Sequence, residues 1–259
     1  MSPTSFDWTT GVLAAPIPRR SVLAGVAAGA LGALVGIGVE PRPALAESAT
    51  GLDNDASRWQ GWVENGTGTW DVRNVSKPSL DGRALRIAFK GDEPYVNIHA
   101  YSTLPPAPGA SAFELYTSFY FGSSRSGGTP VQALEFCANK WQSGQRWEWA
   151  LQWQQVGDGS SEQGRPPNWR VWTGSNWQDT GLTQPLAPNT WHTLALAGHI
   201  VDGLVSYTWA TCDGVAIPLG QTFAPAANPY GDYLSVAMQL DTNSGRDYVV
   251  VDGVGLVWI

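Results

Sequence analysis

The side chains of this chain best suited to chemistry gather between Val131 and Gln154, VQALEFCANKWQSGQRWEWALQWQ. Ser143-Gly144 reads as the two-residue tip of a β-hairpin, and such a tip sets the register of both arms. Glu135 then faces Gln152, Cys137 faces Ala150, Asn139 faces Glu148 and Trp141 faces Arg146. Side chains alternate along a strand, so these eight share one face. Carboxylates, amides, a guanidinium and an indole in one place are the groups that hydrogen-bond to and stack on sugar rings. The other face sets Leu134, Phe136, Ala138 and Lys140 against Trp147, Trp149, Leu151 and Trp153. It is almost wholly apolar and must be core.

Glu135 sits mid-strand on the polar face and is the strongest candidate for a catalytic carboxylate. Glycoside hydrolysis needs a second carboxylate about 5–9.5 Å away. Glu148 is ~13 Å along the strand, too far to serve. The partner must come from another strand, with Asp241 in Met238-Gln239-Leu240-Asp241 and Glu114 as the options. A second set lies in Tyr95-Val96-Asn97-Ile98-His99-Ala100-Tyr101, where Asn97, His99 and Tyr101 share a face opposite Val96, Ile98 and Ala100. His99 and Tyr101 could act as base and acid, with Arg86, Arg146 or Arg170 to meet an anionic group. Plainer readings stand beside these: His99 as an ordinary sheet residue, Arg146 with Glu148 as a surface ion pair, Trp141 as a cap on the hairpin.

The elements that must position these groups follow a leader. Arg19-Arg20 precedes an Ala- and Gly-rich apolar run, Val22 to Val39, and Ala44-Leu45-Ala46 offers a cleavage site. Residues 1–46 therefore resemble a twin-arginine signal peptide, and the expected product is secreted, with no membrane contact after cleavage. Residues 47–57 are polar and expected to form a flexible tether; residues 58–259 form a single domain. The whole chain carries a net charge of −7. Its leader is slightly basic, so the domain is more acidic still, which excludes nucleic acid and disfavours a polyanionic ligand. All but Trp8 of the 14 tryptophans follow the leader. Cys137 and Cys212 could form a disulfide in an exported protein or remain buried thiols. No Cys/His spacing fits zinc.

Short β-patterned runs recur every 8 to 14 residues between Gly, Pro, Asn and Asp, without helical periodicity. Ala112 to Phe121 alternates Phe113, Leu115, Thr117 and Phe119 with Glu114, Tyr116, Ser118 and Tyr120. Asp202-Gly203 and Asp213-Gly214 read as turns. Two long polar loops, 122–130 and 157–167, flank the hairpin, the first able to overhang a cleft. This is the pattern of an all-β sandwich or barrel.

The two-faced hairpin, the Trp191-His192-Thr193-Leu194 strand and the last strand Val251-Asp252-Gly253-Val254-Gly255-Leu256 resemble the concanavalin A-like lectin and glucanase superfamily, over roughly Trp59 to Ile259. The resemblance implies a two-sheet antiparallel jelly-roll β-sandwich with a concave glycan-binding face. Glu135, His99, Tyr101 and Asp241 would be catalytic; Asn97, Asn139, Trp141, Arg146, Glu148, Gln152 and Arg170 would bind substrate. The Glu-x-Asp-x-x-Glu strand of laminarinase-type members is absent, since Glu135-Phe136-Cys137-Ala138-Asn139-Lys140 stands there. Asn97-Ile98-His99 is similar to the Gln-Ile-His strand of alginate-lyase-type jelly rolls, whose Arg-x-Glu-x-Arg strand is missing. No cofactor or catalytic metal is implied; some relatives hold a structural calcium near the strand ends, where Asp53, Asp55 and Asp252 fall here. The resulting expectation is a secreted monomer that binds a polysaccharide and cleaves it by hydrolysis. Glycan binding without turnover and elimination on a uronate-containing glycan are the alternatives.

Overall fold

The computed structural model describes residues 46–123, 131–155, 166–243 and 246–259. The leader and most of the two long polar loops fall outside the described residues. The strands in chain order are β1 (Glu47–Ala49), β2 (Trp59–Glu64), β3 (Gly68–Val75), β4 (Ala84–Gly91), β5 (Pro94–Leu104) and β6 (Ala112–Ser123). The hairpin arms are β7 (Ala133–Gln142) and β8 (Gln145–Gln154), followed by β9 (Asn168–Trp172), β10 (Trp177–Thr183), β11 (Trp191–Val201) and β12 (Leu204–Cys212). The short strands β13 (Val215–Ala216), β14 (Thr222–Phe223) and β15 (Ala226–Ala227) lead to β16 (Tyr233–Asn243) and β17 (Arg246–Trp258).

They form two antiparallel sheets. The first runs β13-β12-β11-β6-β17-β4-β3, with β1 on β17 and β14 on β12; the second runs β10-β9-β8-β7-β16-β5-β2, with β15 on β8. Alternation decides what lies between them. Phe113, Leu115 and Phe119 of the first sheet and Phe136, Trp149, Leu151 and Trp153 of the second are buried in one core, closed by Trp169. Burying each large side chain stabilises the fold by about 1.5–3 kcal/mol. Gly198 in β11 leaves room for Trp149: a Cβ there would sit 2.2 Å from its Cδ1. Positive φ at Ser143 (53°) and Gly144 (75°), and at Asp202 (51°) and Gly203 (77°), gives the mirror-image turns that match strand twist.

Two expectations change, and the choice left open for the cysteines is made. Residues 47–57 are docked, not a loose tether: β1 pairs with the end of β17, Leu52 is fully buried, and the Trp59 indole donates to the Leu52 carbonyl at 2.8 Å. The apolar Leu52, alone in a polar stretch, plugs the sandwich beneath that indole. Glu114 and Arg86 both lie on the outer face of the first sheet, since their neighbours Leu115, Leu85 and Ile87 fill the core. Neither can reach Glu135. Cys137 and Cys212 are free, buried and on different sheets.

Candidate functional site

The hairpin register is the one the turn demands: Glu135↔Gln152, Cys137↔Ala150, Asn139↔Glu148 and Trp141↔Arg146. On its other side β7 pairs with β16, which brings Gln239 opposite Glu135. Extending the pairing gives a continuous row across the outer face of the second sheet: Asp179, Arg170, Gln152, Glu135, Gln239, His99 and Trp62. Neighbouring strands are ~4.8 Å apart, so the row spans about 29 Å with Glu135 at its centre. One register step away lie Asp241, Asn97 and Glu64, paired in that order.

Glu135 is only 5% exposed. Its Oε1 accepts from Gln152 Nε2 at 2.7 Å and Gln239 Nε2 at 2.9 Å. Gln239 Nε2 also donates to Asp241 Oδ1 at 2.9 Å. Two oxygens sharing one nitrogen at that distance lie at most about 6 Å apart, and about 5 Å for the two hydrogens of one planar amide. Burial, reinforced by the charge of Asp241, pushes the Glu135 carboxyl well above the usual carboxylate range. Oε2 of Glu135 takes no hydrogen bond from a described residue. The pair is thus one carboxyl biased toward its protonated form beside a second carboxyl of different surroundings, the arrangement that separates acid from base.

His99 lies flat on Trp62, ring centroids 4.6 Å apart and planes 3° apart, with Nε2 2.6 Å from Glu64 Oε2. Burial lowers its pKa, opposed by Glu64. The Tyr101 hydroxyl donates to Gln60 Oε1 at 2.9 Å, and its ring meets Trp62 edge-on. Arg170 Nη1 reaches Gln152 Oε1 at 3.3 Å and Gln154 Oε1 at 2.9 Å.

The remaining predicted residues form a second group toward the hairpin tip. Arg146 pairs with Glu148 at 2.9 Å and lies over the Trp141 ring at 5.4 Å. Trp141 stacks on Tyr233 and donates from Nε1 to Ser235 Oγ at 3.2 Å. Glu148 is also pushed up by burial, with Arg146 opposing. Between the groups Ala150, Cys137 and Ala237 stand side by side, so the face is hollow there. Burial raises the Cys137 thiol well above its usual range, which keeps it from being a nucleophile. Asn97 Oδ1, Asn139 Oδ1 and Arg146 Nε are buried on this face without a hydrogen-bond partner. Buried polar atoms are rarely left unpaired, and three on one face mark groups available to a ligand.

Gln239, Glu64, Gln60 and Trp62 belong to this face and were not singled out from sequence. The alternation in Met238-Gln239-Leu240-Asp241 does put Gln239 beside Asp241; the pairing of β16 with β7 is the missing step. Among the described residues no group of three or more His, Cys, Asp or Glu is arranged to hold a metal. The three aspartates named for calcium each accept hydrogen bonds: Asp53 from Val254 N (2.8 Å), Asp55 from Ser57 N (3.1 Å) and Asp252 from Leu80 N (2.6 Å).

Two antiparallel sheets closed over one core, with β17 returning beside β1, make this a jelly-roll sandwich. No family model matches the chain, and neither does any curated protein. Solved structures do. Peanut lectin superposes with a TM-score of 0.51 at 7% identity, over 83% of this chain and 97% of the lectin. An endo-β-1,4-glucuronan lyase from the fungus Trichoderma reesei gives 0.48 at 15% identity, over 79% and 92%. The cellulose induced protein Cip1 gives 0.48 at 12% identity, over 78% and 92%. The fold is the concanavalin A-like one.

Proposed function

We propose that the protein is a secreted, monomeric polysaccharide hydrolase, released from a twin-arginine leader, with its active site on the outer face of the second sheet. The observation that carries this reading is the Glu135–Asp241 pair, two carboxylates held to one amide. Glu135, protonated and fixed through Oε1, presents Oε2 as the general acid toward the glycosidic oxygen. Asp241 stands on the side of the anomeric carbon. A separation of about 5–5.5 Å suits direct attack by the second carboxylate, whereas about 6.5–9.5 Å would leave room for a water. The pair therefore favours a glycosyl–Asp241 ester, opened by a water that Glu135, now ionised, deprotonates. In this reading the unpaired Asn97 Oδ1 and the remaining N–H of Gln152 meet sugar hydroxyls, and Trp62, nearly half exposed, offers a stacking face. Glu64 and Asp179 add further acidity to this face, which favours a neutral glycan over a polyuronate.

A second reading, elimination on a uronate, is favoured by one observation. His99, kept neutral by burial and oriented by Glu64, is a base two residues from the Tyr101 hydroxyl. A panel of neutral and acidic polysaccharides separates the two. New reducing ends that depend on Glu135 and Asp241, with retained anomeric configuration in the first product by NMR, are the expected result. An unsaturated product that depends on His99 would replace hydrolysis with elimination. Retention on the glycan with no product would leave a binding protein.

A further inference from the structure

The outer face of the first sheet holds a group that the proposed hydrolase site does not use. Arg86 lies in β4 between Val250 of β17 and Arg73 of β3. Its side chain is 18% exposed, yet its five N–H donors make no hydrogen bond to a described residue, and Nη1 is buried without a partner. Its nearest carboxylate, Asp71, is 3.8 Å away and is itself engaged by Arg73 Nε at 3.2 Å. The guanidinium rests on the Tyr248 ring, 4.7 Å from its centroid. That contact offsets charge but satisfies no N–H, because a ring face accepts only weakly. Arg73 directly opposite adds repulsion, since like charges facing each other across strands are destabilising. Arg246 at the start of β17 adds a further positive charge nearby, and together with burial lowers the affinity of Arg86 for its own proton.

A cation with unspent donors, one shared carboxylate and a like-charged neighbour is costly in an apo protein. The cost disappears if an oxyanion lies in the plane of the guanidinium, where two parallel N–H···O bonds form. Beside Arg86 an aromatic strip continues along the same face. Tyr248 stacks with Tyr120 at 6.4 Å, and Tyr120 packs against Trp191 at 5.6 Å. Both phenols donate to Asn189 Oδ1, at 3.4 and 3.2 Å, which fixes the rings. A fixed aromatic strip next to an unspent guanidinium suits a ring that carries a negative group.

We propose that the outer face of the first sheet holds a second, non-catalytic saccharide site, in which Arg86 and Arg73 grip the carboxylate or sulfate of an acidic sugar while Tyr120 and Trp191 take the rings. It is independent of the hydrolase reading, because it lies on the opposite sheet. The test is calorimetric titration of the whole protein with a uronate oligosaccharide, its neutral counterpart and inorganic sulfate, at low and high salt. The Arg86-dependent part of the binding should appear with the acidic oligosaccharide, weaken as salt rises, be absent with the neutral one, and exceed that with sulfate. Arg86→Met should weaken it at least about tenfold while leaving the thermal midpoint unchanged or higher, since an unspent buried cation is replaced by an apolar chain of similar length. Should Arg86→Met not fold, Arg73→Gln, more than half exposed, should weaken binding and flatten the salt dependence. Glu135→Gln should leave this binding intact. Arg86-dependent binding of the neutral oligosaccharide as strong as that of the acidic one, sulfate binding as tightly as the sugar, unchanged acidic-sugar binding in both arginine variants, or its loss in Glu135→Gln would overturn the assignment.

Discussion

Replacing Glu135 with Gln tests the electrostatics of the pair without disturbing its shape. The Gln carbonyl can occupy the place of Oε1 and still accept from Gln152 and Gln239. What disappears is one proton-binding equilibrium. The folded carboxyl titrates well above its usual value, chiefly through burial and then through Asp241. Between the unfolded value, about 4.3, and the folded one, the folded protein holds a proton that the unfolded chain has released. Wild-type stability must therefore fall as pH rises through that window, with a slope of up to about 1.4 kcal/mol per pH unit for one proton. The variant has no such dependence, so its stability relative to wild type should climb with pH and level off at the folded pKa. Urea unfolding of both proteins from acid to mildly alkaline pH measures the difference directly. The same variant should lose about 10²–10⁴-fold in glycan cleavage as the general acid is removed. A stability difference that does not change with pH, or a variant that loses stability relative to wild type as pH rises, would refute the claim that Glu135 is held protonated.

Three further outcomes follow from packing and charge. Tyr207 reaches from the first sheet so that its hydroxyl accepts from Ala150 N and donates to the Trp172 carbonyl, each at 2.9 Å; Tyr207→Phe strands both groups and should cost about 2–4 kcal/mol in urea denaturation. Gly198→Ala drives a methyl into Trp149 and threatens its 3.0 Å bond to the Ser206 carbonyl; about 1–3 kcal/mol and altered near-ultraviolet dichroism are expected. His99, lowered by burial, should titrate by NMR with a midpoint below the ordinary value of about 6.5; its share of stability is then lost as pH falls below that value toward the midpoint.

The polar face of the hairpin was legible because a two-residue turn leaves no freedom in register, and period-two alternation then assigns every side chain. Glu135 with Gln152, and Asn97 with His99 and Tyr101, follow from that logic alone. The join between them did not. Gln239 meets Glu135 only because β16, about a hundred residues later, inserts between β7 and β5, and local patterning carries no record of non-local pairing. Alternation also cannot say which sheet a two-faced strand enters. Glu114 and Arg86 have the same local signature as Glu135 and Arg170, yet they face away from the second sheet. Residues 47–57 read as solvated because a three-residue strand and one buried leucine are too short to show a period.

The two free thiols bear on how this fold responds to redox conditions. Cys137 lies in the second sheet, Cys212 faces the core from the first, and neither waits for a partner. No disulfide joins the two sheets, so packing and backbone pairing hold the sandwich closed. A reductant should therefore leave the unfolding midpoint of this domain where it is.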